Sequence, residues 1–285
     1  MSDIIQLLPD HVANQIAAGE VVQRPASIVK ELLENAIDAG ATKIELIVEE
    51  AGRNLIKVAD NGSGMSETDA RMAFERHATS KIRTTEDIFH IATKGFRGEA
   101  LASIAAVAQV ELKTKKQDAE IGTVIYIEGG ELQFQEPAQT TEGAVFSVKN
   151  LFFNVPARRK FLKSNNIEFR HIIDEFQRVA LAHENLEFSL YHNDEVIFNL
   201  RKGSQMQRIV DIFGRKLHPL LVPIKEDLGW VKLNGFVGKP EAAKKSRGEQ
   251  FFFVNGRYFR SPYLNRAVQE AFEGLLQSNY SPSFF

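Results

Sequence analysis

The chain has no cysteine. That removes disulfides, thiol nucleophiles and cysteine–zinc sites, and it is compatible with a reducing cytosol. Net charge is almost absent too: 35 Lys and Arg against 37 Asp and Glu leave a formal −2. No global positive field therefore announces a nucleic-acid partner. No apolar run approaches the roughly 18 residues of a membrane-spanning helix, and Met1, Ser2 and Asp3 open the chain without the charged and apolar regions of a secretory leader. The seven histidines are scattered without a metal-ligand spacing. Internal repeats and low-complexity tracts are also lacking. What remains is 285 residues with 44% hydrophobic content, enough for one large domain or two ordinary ones around a sizeable core.

The most informative stretch is ELLENAIDAG at residues 31–40. Ile28, Val29, Leu32, Leu33, Ala36 and Ile37 recur at helical spacing and form a core face, with Glu31, Glu34, Asn35 and Asp38 opposite. Pro25 suits the first helical turn and Gly40 the stop. Glu31 and Asn35 share a face, where a carboxylate polarises a water and an amide oxygen holds a magnesium ion. A solvated polar face is the ordinary reading of such a helix. Two further motifs argue against it: DNGSG at 60–64 and GFRGEAL at 95–101. Glycine-bearing loops of this kind offer backbone N–H groups to phosphates. They serve plain turns equally well.

Period-two runs predict strands at 43–49, 54–59, 111–115, 123–128, 132–135 and 145–148. Helices are predicted at 69–78, 100–107 and 166–183, and a closing hairpin around Asn193 and Asp194 joins strands at 188–191 and 196–200. Asp60 then stands at a strand end, where a ligand reaches it. Residues 79–97, with Ser, Thr, Lys and Gly and weak periodicity, are the candidate mobile lid. The pattern is an α/β sandwich of mixed sheet and helices, not a doubly wound parallel fold. A boundary falls near 201–204. Beyond it come strands near 220–224, 230–237 and 250–255 and a helix near 262–277. Arg158, Arg159, Lys160 and Lys163 form one candidate positive patch; Lys244, Lys245 and Arg247 form another; Arg257, Arg260 and Arg266 form a third. A solvated surface explains each at least as well.

The three ordered motifs resemble those of the Bergerat-fold (GHKL) ATPases, which include topoisomerase ATPase domains, a heat-shock chaperone and histidine kinases. Further residues narrow the resemblance to the MutL family of DNA mismatch-repair proteins: Leu8 and Pro9, the run from Ala13 to Val22, Arg24 and Pro25, HATSK at 77–81, LFFNVPARRKFL at 151–162 and VNGR at 254–257. The resemblance covers nearly the whole chain. It implies a Bergerat-fold α/β (α+β) ATPase domain over residues 1–204. A smaller α+β domain follows over 205–285, with a left-handed βαβ crossover. The implied cofactors are ATP and Mg2+. Glu31 is the implied general base, Asn35 the magnesium ligand, and Asp60 the acceptor for the adenine amine. The remaining nucleotide contacts are implied at Asp38, Gly62, Gly64, Met65, Thr79, Ser80, Lys81, Gly95, Phe96, Arg97, Gly98, Glu99, Ala100 and Leu101. Arg97 serves equally well in a structural ion pair.

Relatives of this superfamily usually carry Gly-Thr on a late strand, the threonine helping to recognise adenine. Gly143 and Ala144 stand there in this chain. The hydroxyl is missing, and Asp60 is left with more of the base recognition. The ending at Ser281–Phe285 looks like the start of a buried strand, so an expressed fragment is expected. In the family the chain continues into another strand, a lysine that reaches the nucleotide site, and a dimerisation region that in many members carries an endonuclease. Weak hydrolysis by this fragment follows from that expectation. The implied partners are ATP, a second copy of the chain, a mismatch-recognition protein of the MutS family, and DNA without sequence specificity. No membrane is implied, and the location is the bacterial cytosol, at the nucleoid during repair. Three readings compete with a mismatch-repair clamp: a topoisomerase ATPase domain, a histidine kinase, and a non-enzymatic ATP-sensing scaffold.

Overall fold

In the computed structural model, residues 1–6, 82, 83, 85, 88–92, 96, 247 and 278 lie outside the described part of the chain. The elements of the first unit run α1 (Asp10–Val21), α2 (Pro25–Asp38), β1 (Lys43–Glu49), β2 (Leu55–Asp60), α3 (Glu67–Met72), α4 (Ala100–Val107), β3 (Gln109–Lys115), β4 (Gly122–Glu128), β5 (Glu131–Ala138), β6 (Gly143–Lys149), α5 (Pro156–Phe161), α6 (Asn165–Leu181), β7 (Glu187–His192) and β8 (Glu195–Leu200).

Alternation builds the sheet. Ile44, Leu46 and Val48 of β1, Ile56 and Val58 of β2, Val110 and Leu112 of β3, and Ile125 and Ile127 of β4 are all buried. The residues between them are partly exposed, as expected of strands with one face on a core. Eight strands pair in the order β5-β4-β3-β6-β2-β1-β7-β8. The pairing of β1 with β7 is parallel, Lys43 opposite Glu187, while β1–β2, β2–β6, β3–β6, β3–β4 and β4–β5 are antiparallel. At the β7–β8 turn, Asn193 and Asp194 have φ of 47° and 67°, the left-handed pair that a two-residue hairpin needs. The core face of α2 packs on β1 and β2 through Ile28, Val29, Leu32, Leu33 and Ala36. Each of the four larger side chains contributes about 1.5–3 kcal/mol. Ile37, expected on that face, is only partly buried. Phe176 of α6 stacks on Phe198 at 5.5 Å and meets Phe188 edge-on at 6.0 Å.

The helix expected over 69–78 is shorter: α3 stops at Met72. The chain beyond it is turned out of helical register, with His77 at φ 64° and its N–H donating to Gly98 O at 3.1 Å. A tertiary partner wins over local helix propensity there.

The chain divides into two units, Met1–Phe176 with Leu186–Asn199, and Gln177–Asn185 with Leu200–Phe285. The second unit thus takes the end of α6, a partition that a single cut near 201–204 does not draw. Its elements are α7 (Gln205–Phe213), β9 (Leu221–Asp227), β10 (Lys232–Gly238), β11 (Phe252–Val254), β12 (Arg257–Phe259) and α8 (Pro262–Ala271). β9 pairs with β10 and β11 with β12, both antiparallel. The core gathers Leu181, Ile209, Leu217, Leu221, Phe251 and Phe285. Arg208, 1% exposed, donates to the carbonyls of Ala180, Glu184 and Arg201. It ties the end of α6 to the start of α7. Phe284 and Phe285 are buried, as the aromatic pattern predicts, and Phe285 exchanges two backbone hydrogen bonds with Phe236.

Candidate nucleotide site

Pro25 starts α2 after Arg24 in extended backbone. Gly40, at φ 73°, ends it, and Ala41 N donates to Ala36 O at 3.1 Å, a glycine-capped stop. The polar face then projects from one rigid helix. Glu31 lies about one turn before Asn35, and Asp38 lies at the last residue.

Asp60 sits at the end of β2, opposite Ala144 of β6. Its Oδ1 accepts from Gly62 N at 2.8 Å, and Ala144 N–H also donates to the carboxylate. Burial pushes this carboxyl up to about 6, against the pull of those two N–H donors. Asn61 accepts from the N–H groups of Thr42 and Lys43 at 2.9 and 2.8 Å and donates to Thr42 Oγ1. That ties the strand end to the chain leaving α2. The motif's glycines fit against the protein itself. A Cβ at Gly62 meets Ala39 O at 2.8 Å. One at Gly64, where φ is 62°, meets Lys115 O at 2.0 Å. Met65 N donates to the buried Thr114 Oγ1 at 3.0 Å, and that hydroxyl donates to Gly143 O at 2.7 Å.

The other side of the site gathers about Asp38. Its side chain, 6% exposed, accepts from Lys81 Nζ at 2.5 Å, Lys94 N at 2.8 Å and Gly95 N at 3.1 Å. Gly95 lies beside Asn35: a Cβ there is 3.9 Å from Asn35 Oδ1 and 3.6 Å from Lys81 Nζ. Thr79 Oγ1 accepts from Lys81 N at 3.2 Å. Ser80 and Arg97 are exposed. Gly98, at φ 63°, packs where a Cβ meets Ala78 O at 2.3 Å. Glu99 stands at the N-cap position of α4 without a side-chain capping hydrogen bond, and Ala100 and Leu101 form its first turn. Phe96 lies outside the described residues, as do several positions of the expected lid.

Asn35, Asp38, Lys81 and Gly95 are thus brought together, and Asp60, Gly62, Gly64 and Met65 form a second cluster joined to the end of α2. Glu31 carries a contact that sequence reading did not anticipate. Lys30 Nζ stands 3.1 Å from Glu31 Oε1 and 3.4 Å from Glu34 Oε2. Burial pulls the Lys30 ammonium down, but the two carboxylates outweigh it and raise its pKa. Spacing on the helix contains this signal, since Lys30 and Glu34 are an i,i+4 pair. Thr114 was missed because nothing in its own strand marks a hydroxyl facing another loop.

The candidate basic patches dissolve in part into local pairs. Lys244 bonds Glu249 and Arg266 pairs with Glu270 at 2.8 Å, whereas the Arg158 guanidinium packs against Gly19 with its Nη1 buried and without a hydrogen-bond partner among the described residues. Arg247 lies outside the described residues. Among the described residues no group of three or more His, Cys, Asp or Glu is placed to hold a metal, and no helix is long and apolar enough to cross a membrane.

Comparison with known proteins bears on the fold and the family. Residues 23–142 match the family model of histidine kinase-, DNA gyrase B- and HSP90-like ATPases. Residues 209–285 match that of the DNA mismatch repair protein, C-terminal domain. The fold is shared with the N-terminal domain of a DNA repair protein at TM-score 0.81 and 23% identity, covering 95% of this chain and 84% of that one. The Aquifex aeolicus MutL ATPase domain complexed with ADP matches at TM-score 0.69 and 26% identity, covering 93% and 92%. The mixed eight-stranded sheet with its α2 polar face is therefore the α/β sandwich of the GHKL ATPases. Over all 285 residues the chain is 63% identical to the DNA mismatch repair protein MutL of Christiangramia forsetii and 64% identical to that of Flavobacterium psychrophilum. It belongs to the MutL family. It spans about half the length of these relatives, 46% of each.

Proposed function

We propose that this chain is the nucleotide-operated part of a mismatch-repair protein: it binds ATP with magnesium and hydrolyses it slowly. The observation that carries the reading is the gathering of Asn35, Lys81 and the Gly95 backbone at one end of α2, with Asp60 anchored beside the same helix end. An ADP complex of a related MutL ATPase domain supports it.

In this reading the Asp60 carboxylate accepts from the adenine exocyclic amine. Ala144, which has no hydroxyl to offer, contributes a backbone N–H that orients Asp60. Lys81, Thr79, Ser80, the Gly95 backbone and the backbone of residues 97–101 surround the phosphates, with the start of α4 favouring negative charge. Asn35 offers one amide oxygen, a donor set that fits magnesium, which takes few protein ligands and completes its shell with phosphate oxygens and water. The ion supplies charge neutralisation on the phosphates. Glu31 polarises the attacking water. Lys30, already bonded to Glu31, holds that carboxylate on the helix face.

ATP acts on conformation by preferring one state: two copies pair when it is bound and separate after hydrolysis. The partners in this scheme are a second copy, a mismatch-recognition protein of the MutS family, and DNA read without sequence specificity.

Single-turnover hydrolysis combined with calorimetric titration tests the roles. Glu31→Ala retains magnesium–ATP binding while hydrolysis falls by about 10²–10⁴. Asn35→Ala weakens binding itself. Hydrolysis at the wild-type rate by Glu31→Ala overturns the assignment, and tight binding without hydrolysis by wild type identifies a nucleotide sensor instead.

A further inference from the structure

Asp38 is a carboxylate at the proposed phosphate end of the site, and its chemistry is wrong for a direct contact with a polyanion. Its surroundings suggest another role. Both oxygens are engaged: Oδ1 accepts from Lys94 N at 2.8 Å, and Oδ2 accepts from Lys81 Nζ at 2.5 Å and Gly95 N at 3.1 Å. The side chain is almost wholly buried beneath these donors. One ammonium and two consecutive backbone N–H groups are the donors that phosphate oxygens take elsewhere. They stand beside Asn35, the proposed metal ligand, since the space at Gly95 opens onto both Asn35 Oδ1 and Lys81 Nζ. A donor aimed at a buried carboxylate is not aimed at a phosphate. A triphosphate at this end of α2 competes with Asp38 for the same groups.

We propose that Asp38 is a resident anion and not a nucleotide ligand: it holds Lys81 and the Lys94–Gly95 backbone on the end of α2, and it yields them to the phosphate oxygens when ATP binds. Asp38 then does two things through other residues. Without nucleotide it satisfies the partly buried Lys81 ammonium and accepts from the Lys94 and Gly95 N–H groups. With nucleotide it sets affinity, because part of the phosphate interaction is spent displacing a carboxylate that already has those donors. The second half rests on the ATP reading. The first half stands on the hydrogen bonds alone.

The test uses the chain as it exists. A non-hydrolysable ATP analogue with magnesium is titrated into wild type, Asp38→Asn, Lys81→Met and the double variant, and amide hydrogen exchange is followed without nucleotide. Asparagine keeps the size and one acceptor but removes the charge that holds Lys81. Asp38→Asn is expected to bind the analogue about tenfold more tightly, the scale of one charge-assisted bond released from competition. In the Lys81→Met background that gain shrinks, because the two residues share one interaction. Exchange at the Lys94 and Gly95 amides speeds up in Asp38→Asn before any nucleotide is added.

Weaker binding by Asp38→Asn overturns the competition. So does an equal gain in both backgrounds. Unchanged exchange at Lys94 and Gly95 overturns the holding role. If wild type does not bind the analogue at all, the ATP reading fails, and the exchange arm still decides whether Asp38 holds the segment. Should Asp38→Asn not fold, Asp38→Glu keeps the charge and moves the carboxylate by one methylene. Its Lys94 and Gly95 amides are expected to exchange faster, and exchange at the wild-type rate sinks the proposal.

Discussion

The two ends of the candidate site are built in opposite ways. The Asp60 end is locked by backbone. Gly62 fits against Ala39, Gly64 against Lys115, Asn61 ties in Thr42 and Lys43, and Met65 is held by Thr114. The Asp38 end depends on one side chain holding residues that lie more than forty positions away in sequence. A surface made from packed backbone has one arrangement, whereas donors collected by a single carboxylate have a second arrangement within reach of any competing anion. The comparison teaches that similar glycine motifs do different work: at Gly64 the missing Cβ makes room for the protein, and at Gly95 it keeps open a space lined by Lys81 and Asn35.

The largest expected effect breaks the comparison at its glycines. Gly64→Ala sets a Cβ 2.0 Å from Lys115 O at positive φ, and a loss of about 2–5 kcal/mol in denaturant-measured stability is expected. Among the described residues Gly95→Ala brings its Cβ no nearer than 3.6 Å to a neighbour. It is expected to leave stability within about 1 kcal/mol while weakening analogue binding. Equal destabilisation by the two substitutions erases the distinction.

The next test sharpens the Asp60 end. Its carboxyl is raised from 3.8 to about 6 by burial. The folded chain therefore holds a proton across that window which the unfolded chain has released. Stability is lost as pH rises through it, by about 3 kcal/mol in all. Stability curves of wild type and Asp60→Asn, compared between pH 4 and 7, are expected to diverge in that direction. Parallel curves refute the buried carboxyl. Nucleotide affinity should run the other way, falling as pH drops through about 6, because the charged carboxylate is a stronger acceptor for the proposed adenine amine than the neutral acid.

A smaller effect is expected at Thr114→Val. The substitution keeps the shape and removes the hydroxyl shared by Met65 N and Gly143 O. Removing this partner from Met65 N and the buried Gly143 O costs about 1–3 kcal/mol, and analogue affinity is expected to fall with it if the Asp60 end works as a preformed surface. Unaltered thermal unfolding removes Thr114 from the account.

Much of this molecule was legible in the sequence where the signal is local. The strand at 43–49 and the helix at 100–107 lie where alternation and small-residue periodicity put them, and the stop at Gly40 and the turn at Asn193 and Asp194 follow from backbone chemistry. The exceptions are tertiary. α3 ends early because the turn after it is given to Gly98, and the second unit claims the end of α6 through Arg208. The site follows the same division. The motifs contain Asn35, Lys81 and Gly95, which the fold brings together, and Asp60, which stands in the neighbouring cluster. The partners of Asp38, the hydroxyl of Thr114 and the backbone reason for Gly64 depend on segments brought together only by folding.

The parallel register of Lys43 with Glu187 has a consequence for how the chain is made. Synthesis from the amino terminus delivers β1 and its antiparallel neighbour β2 early, but β7 arrives only after β3 to β6, α5 and α6 have been produced. Until then β1 presents an open row of backbone donors and acceptors, the template on which nascent chains pair with one another. Closing that edge is a long-range event and therefore a slow one. The interval between the emergence of β1 and that of β7 is the window in which a chaperone has most to protect.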